Sequence, residues 1–244
     1  IVVAVVTLAA AELFDVLRRS GYHPATLLGL AATVGVLYAA YEKGERALPL
    51  SLFLTAAFSF LWYLFGVTKA RATVGVAATV LGFVWVGIFG SFAALMLAGG
   101  GDGVTILLAT VLATAAADIG AYVAGSQFGG RPLAPEISPN KTVEGLIGGV
   151  VTSVIVTMLF IGYLPGAHPF AGADAFFTKG DLFIFALVIS LVAPLGDLAE
   201  SMIKRDLGIK DTSSILPGHG GVLDRFDAML FTLPTAYYLL QVLA

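Results

Sequence analysis

The residues best equipped for chemistry crowd into positions 201–227, which read S-M-I-K-R-D-L-G-I-K-D-T-S-S-I-L-P-G-H-G-G-V-L-D-R-F-D. Lys204, Arg205, Lys210 and Arg225 stand among Asp206, Asp211, Asp224 and Asp227 in a chain that is only 12% charged. A solvated loop between helices would account for the charges alone. What sets the stretch apart is the interleaving of Pro217, Gly218, Gly220 and Gly221, with apolar runs of membrane length directly before and after. Just upstream, Asp197, Glu200, Ser201 and Lys204 follow at i, i+3, i+4 and i+7, so a helix puts all four on one face. That face is too polar for lipid and must line a cavity or meet another polar element. Asp224 and Asp227 are three residues apart at the start of the next apolar run, where the positive end of a helix dipole favours carboxylates. A loop folded back would bring Asp197 and Asp224 together, and clustered carboxylate oxygens suit a hard cation such as Mg²⁺, completed by phosphate oxygens and water.

Other candidates lie upstream and within the loop. Asp118 sits inside the apolar run 104–123, where an ionised carboxylate is costly and faces a partner or a water-filled cavity. Tyr122, Gly125 and Ser126 follow on roughly the same helical face, and a structural polar contact between helices is the competing reading. Ser138 before Pro139 reads as a helix N-cap with proline at the first helical position, placing Asn140, Lys141 and Thr142 in the first turn. Such a helix start suits a phosphate, and plain capping explains the same residues equally well. His219 is a candidate base or metal ligand, but the three His of the chain form neither HxxxH nor HExxH. Its neighbours Gly220 and Gly221 more readily let backbone approach a phosphate or another helix. Glu12 and Asp15 lie beside Arg18 and Arg19, so local ion pairing accounts for both and no chemistry is assigned to them.

The elements that must carry these groups follow from composition. With 58% hydrophobic residues and a mean hydropathy of +0.95, the 244 residues lie well outside the soluble range. The fold class expected is all-α, a polytopic integral membrane protein with about eight spans near 1–17, 24–41, 48–67, 73–97, 104–127, 146–164, 182–202 and 228–243. Pro194 within the seventh is expected to kink it. Residues 1–100 then form an N-terminal helical region, and residues 101–244 a catalytic region with cytoplasmic loops at 129–145 and 203–227. Arg18, Arg19, Lys69, Arg71, Arg131, Lys141, Lys204, Arg205, Lys210 and Arg225 fall in alternate loops, while the other set holds only Lys43, Arg46 and Lys179. The positive-inside rule makes the richer side cytoplasmic and puts residue 1 and the C-terminus outside. The absence of Cys excludes disulfides and thiolate metal sites, and a net charge of -3 without a basic tract argues against nucleic-acid binding. Residue 1 already lies in an apolar run without a basic leader, so no signal peptide is read, and a segment before it is left open.

The motifs together resemble the phosphatidate cytidylyltransferases, membrane enzymes that make CDP-diacylglycerol. The pattern S-x-x-K-R, then K-D, then P-G-H-G-G-x-x-D-R-x-D is met at every fixed position, and G-D-L-A-E, the A-Y-x-x-G after Asp118 and I-S-P-N-K-T-V-E-G are similar too. The likeness covers roughly the C-terminal half. Val143 stands where many members have an aromatic residue and Arg131 where many have Lys. The resemblance implies a reaction of CTP with phosphatidic acid to CDP-diacylglycerol and pyrophosphate, with Mg²⁺ required and a second metal or a monovalent cation left open. By the same resemblance Asp197 and Asp224 hold the metal, while Lys141, Lys204, Arg205 and Arg225 neutralise phosphates. Asp118 and Asp227 shape the site, and Ser138, Thr142, Ser201, Lys210, Asp211, His219, Gly220 and Gly221 complete the substrate contacts. The expected setting is a bacterial inner membrane with the site facing the cytoplasm and membrane lipid as partner, a homodimer being left open. A CTP-dependent lipid kinase of similar architecture and a secondary transporter are the competing readings. The second predicts inverted internal repeats, which the sequence does not show by eye.

Overall fold

The structure, a computed structural model, describes residues 1–163, 178–213 and 220–243, without the side chains of residues 101, 102, 162 and 163. The described residues are all-α apart from one small hairpin. The helices are α1 Val2–Arg19, α2 Thr26–Lys43, α3 Ala47–Leu64, α4 Ala72–Gly82, α5 Phe89–Ala98, α6 Gly101–Phe128, α7 Val143–Thr157, α8 Lys179–Asp206 and α9 Leu223–Leu243. A wide turn at Phe83–Ile88 carries α4 into α5, and a similar one at Met158–Tyr163 extends α7. Long apolar side chains such as Leu27, Phe53, Phe60, Leu64, Ile119 and Ile147 point outward, which suits lipid and not water.

Among the described residues, six helical stretches are long and apolar enough to cross a membrane: Thr26–Leu64, Ala72–Ala98, Gly103–Phe128, Val143–Ile161, Lys179–Asp206 and Leu223–Leu243. The sequence suggested about eight. Two causes account for the difference. Glu12, Asp15, Arg18 and Arg19 make α1 too charged to qualify, and the single turn Gly44–Arg46 fuses α2 and α3 into one 39-residue stretch. Within that stretch Gly44 takes φ 69 and α2 packs along α3, the two lining a shared groove from Leu28 to Phe58.

The chain divides into two compact units, one of Ile1–Ala98 with Lys204–Phe226 and the other of Gly99–Ile203 with Asp227–Ala244. In the first, α1 buries Val6, Ala9, Ala10, Leu13 and Leu17 at helical spacing, and the Phe14 ring fills space left by Gly29 of α2 and Gly82 of α4. A Cβ at Gly82 would lie 2.7 Å from that ring.

The second unit is built on backbone contact between α6 and α7. A Cβ at Gly145 would sit 2.9 Å from the Ala121 carbonyl oxygen and one at Gly149 2.7 Å from that of Ala117. Small residues at an interface are how helices associate where lipid offers no hydrophobic gain. Ser153 Oγ donates to the Ala113 carbonyl at 2.8 Å, and Ala117, Ala193 and Ala228 bring α6, α8 and α9 together. Pro194 lies inside α8, which stays helical through it.

The expected helix start at Ser138–Pro139 is not what forms. Residues Ser138–Thr142 are a strand, β2, paired antiparallel with β1, Pro132–Ala134. Two groups decide this. Val143 N donates to the Arg131 carbonyl at 2.9 Å, closing the hairpin, and Thr142 is the better-placed cap, its Oγ1 accepting from Gly145 N at 3.1 Å. Helix α7 therefore begins at Val143, and Asn140, Lys141 and Thr142 lie outside it. Pro139, with its fixed φ and missing N–H, is tolerated in a short edge strand.

Candidate active site

In the second unit a cavity of about 550 Å³ opens between α6, the hairpin, α7 and α8. Polar Asp118, Ser138, Asn140, Lys141, Thr142 and Asp197 line it together with apolar Ala117, Leu133, Leu146 and Pro194. Lys141 reaches it because β2 ends beside α7, and its Nζ donates to Asp197 Oδ2. Both side chains are about one-quarter exposed, at 27% and 24%. Asp118 feels the charges of Asp197 and Lys141, and Tyr122, Gly125 and Ser126 line the same cavity, as their helical spacing suggested.

Asp227 comes into this group by close helix approach. A Cβ at Gly196 would lie 2.5 Å from the Asp227 carbonyl oxygen and 2.7 Å from Ala228 Cα, so only glycine lets α9 come so near Asp197. The Asp227 side chain shares a hydrogen bond with buried Glu200 and feels the charge of Asp197. Asp118 and Asp227 thus both neighbour Asp197, which pairs with Lys141, and Glu200 adjoins Asp227. Among the described residues no three of them converge to hold an ion unaided. Mg²⁺ takes one or two carboxylates and fills its shell with phosphate oxygens and water, and carboxylate is the donor type that Asp197 offers.

In the first unit the centre is Asp224, whose side chain is 8% exposed. Lys204 Nζ donates to its Oδ1 at 2.9 Å, while Thr212 N, Thr212 Oγ1 and Gly221 N donate to Oδ2 at 3.1, 2.9 and 2.7 Å. Gly220 has φ 77, and a Cβ there would come 2.7 Å from Asp224 Oδ2, so the glycines of the motif make room for this carboxylate. Lys210, Asp211, Arg205 and Arg225 are exposed and Ser201 is half-buried. His219, with Pro217 and Gly218, lies outside the described residues.

Two residues that hold this arrangement were missed by sequence reasoning. Thr212 directly follows K-D and could have been read as part of the motif. Glu12 carried a misleading local signal, because Arg18 and Arg19 pair with Asp15 alone. Glu12 is buried and accepts hydrogen bonds from Ser213, Val222 and Leu223, which corrects the ion-pair account.

Comparison with known proteins agrees with these motifs. A phosphatidate cytidylyltransferase of Mycobacterium leprae is 41% identical over 167 residues, 68% of this chain and 50% of that protein. One of Bacillus subtilis is 41% identical over 142 residues, covering 57% of this chain and 49% of the relative. One of Synechocystis is 46% identical over 143 residues, covering 57% and 45%. The matched stretch spans about half the length of each of these relatives. The sequence profile of the cytidylyltransferase family matches residues 1–243, and on that match the chain belongs to the cytidylyltransferase family.

Proposed function

We propose that the chain transfers the cytidylyl group of CTP to phosphatidic acid, forming CDP-diacylglycerol and pyrophosphate. The observation that carries this reading is the cavity lined by the Lys141–Asp197 pair and by apolar side chains, a combination that an amphiphilic phosphate ester requires. A phosphate oxygen of phosphatidate attacks the α-phosphorus of CTP. The bond from that phosphorus to the bridging oxygen breaks, and pyrophosphate leaves with the electron pair. The attacking phosphate monoester is ionised at neutral pH, so no side chain has to remove a proton from it.

Catalysis then reduces to positioning and to neutralising charge. Lys141 neutralises a phosphate at the cavity, and Lys204 and Arg205 serve the same end within their own unit. Bound Mg²⁺ would supply Lewis-acid stabilisation of the phosphates. Asp197 in the one unit and Asp224 in the other are proposed as metal ligands, each taken by itself, a role resting on the motifs. The setting is proposed to be the inner membrane of a bacterium, with these loops on the cytoplasmic face where CTP is available.

Label tests the proposal. Purified protein in lipid, given CTP labelled on cytidine, should place label in lipid. Label entering lipid only from the γ-phosphate would identify a kinase, and no transfer of either would reject both.

A further inference from the structure

We propose that Glu12 is a positioning residue for the Asp224 segment, a role that rests on the cytidylyl-transfer reading for its effect on turnover. Glu12 lies on the packed face of α1 and is 4% exposed. Its Oε1 accepts from Ser213 Oγ at 2.6 Å and from Val222 N at 3.0 Å, and its Oε2 accepts from Leu223 N at 2.8 Å.

These bonds interlock with those of Asp224. Of the neighbours Thr212 and Ser213, the first donates to Asp224 and the second to Glu12. Of the consecutive amides at Gly221, Val222 and Leu223, the first goes to Asp224 and the other two to Glu12. Two carboxylates from different parts of the chain therefore divide the donors of both short stretches between them. Leu223 begins α9 and Val222 directly precedes it; the first amides of a helix have no partner within it, and Glu12 supplies one from outside at the positive end of the dipole.

Gly221 is shaped to the same end. A Cβ there would lie 2.5 Å from both Glu12 Oε2 and Thr212 Oγ1. Glu12 thus fixes the backbone immediately before Asp224 and so the direction in which that carboxylate points. Removing it leaves two amides of the α9 start without their acceptor and lets Asp224 swing.

The test uses the whole chain in lipid nanodiscs. Glu12→Ala should lower kcat about tenfold while leaving the KM for CTP within about twofold, because ground-state contacts to CTP are untouched. Amide hydrogen exchange at Val222 and Leu223 should quicken by about tenfold, a readout independent of activity. Glu12→Gln should fall between wild type and Ala, since one oxygen remains and an NH₂ opposes a backbone donor. Ser213→Ala, which removes one of the three bonds, covers the case in which Glu12→Ala is not recovered folded, and should lower kcat by about two- to threefold in the same pattern. Unchanged exchange at Val222 and Leu223 in Glu12→Ala overturns the proposal. So does a lower Tm with wild-type kcat per folded molecule, which is what a purely stabilising cap would give. Wild-type protein that transfers no cytidylyl group would sink the functional reading instead, and the exchange measurement would still judge the clamp.

Discussion

Replacing Lys141 by Ala tests the cavity in the second unit most directly. The substitution leaves Asp197 without its cation in the company of Asp118, Asp227 and Glu200. Breaking a fully buried pair from one side costs about 3–5 kcal/mol, and an exposed pair contributes about 0–1 kcal/mol. With the two side chains 27% and 24% exposed, the environment is intermediate. About 2 kcal/mol is then expected, equivalent to about a thirtyfold loss of kcat/KM if the bond is retained in the transition state. The assay is transfer of cytidine label to lipid across a CTP series, with Tm recorded for each protein. Because Lys141 and Asp197 touch, Asp197→Asn and Lys141→Ala together should do less harm than the sum of the two. Activity of Lys141→Ala within about twofold of wild type, or strict additivity in the double variant, would remove this pair from the reaction.

Asp224→Asn should abolish turnover while the protein still inserts and purifies, because an amide nitrogen cannot accept from Thr212, Gly221 and Lys204 as the carboxylate does; near wild-type activity at saturating Mg²⁺ would take Asp224 out of the site. Gly196→Ala should destabilise by about 1–3 kcal/mol, since its new methyl would meet the Asp227 backbone, and an unchanged Tm would refute that close approach. Topology can be read with single Cys residues in this Cys-free chain: Lys210→Cys, exposed, should resist an impermeant thiol reagent until cells are opened, while Glu42→Cys, exposed in the last turn of α2 on the opposite side, should react at once. The reverse pattern would turn the protein over in the membrane. Ser213 is a poorer probe position than its place in a polar loop suggests, because its hydroxyl is bonded to Glu12.

What the sequence made legible was whatever depends on near neighbours. Apolar runs bounded by charges placed the long helices to within a few residues, and the 3.6-residue repeat correctly set Asp118, Tyr122, Gly125 and Ser126 around one cavity. The hairpin was not legible, because Ser138 and Thr142 are both sound caps locally. Pairing with Pro132–Ala134, which no helical period reports, decides between them. The span count differed because the turn at Gly44–Arg46 is helical enough to join two neighbours. Glu12 was out of reach for a different reason: its partners are 201 to 211 residues away, and two of the three bonds come from backbone amides that carry no side-chain signature.

The distance from Glu12 to its partners also sets an order of events during biosynthesis. Glu12 leaves the ribosome some 200 residues ahead of Ser213, Val222 and Leu223. At about 5–20 residues per second that interval is about 10–40 s. Phe14 finds Gly29 and Gly82 well before then, so α1 can be seated by its apolar side while its carboxylate still lacks its final partners. Helix α1 is therefore seated on its apolar side well before its carboxylate is locked. A chain stopped short of Ser213 would hold this acid without any of its three donors.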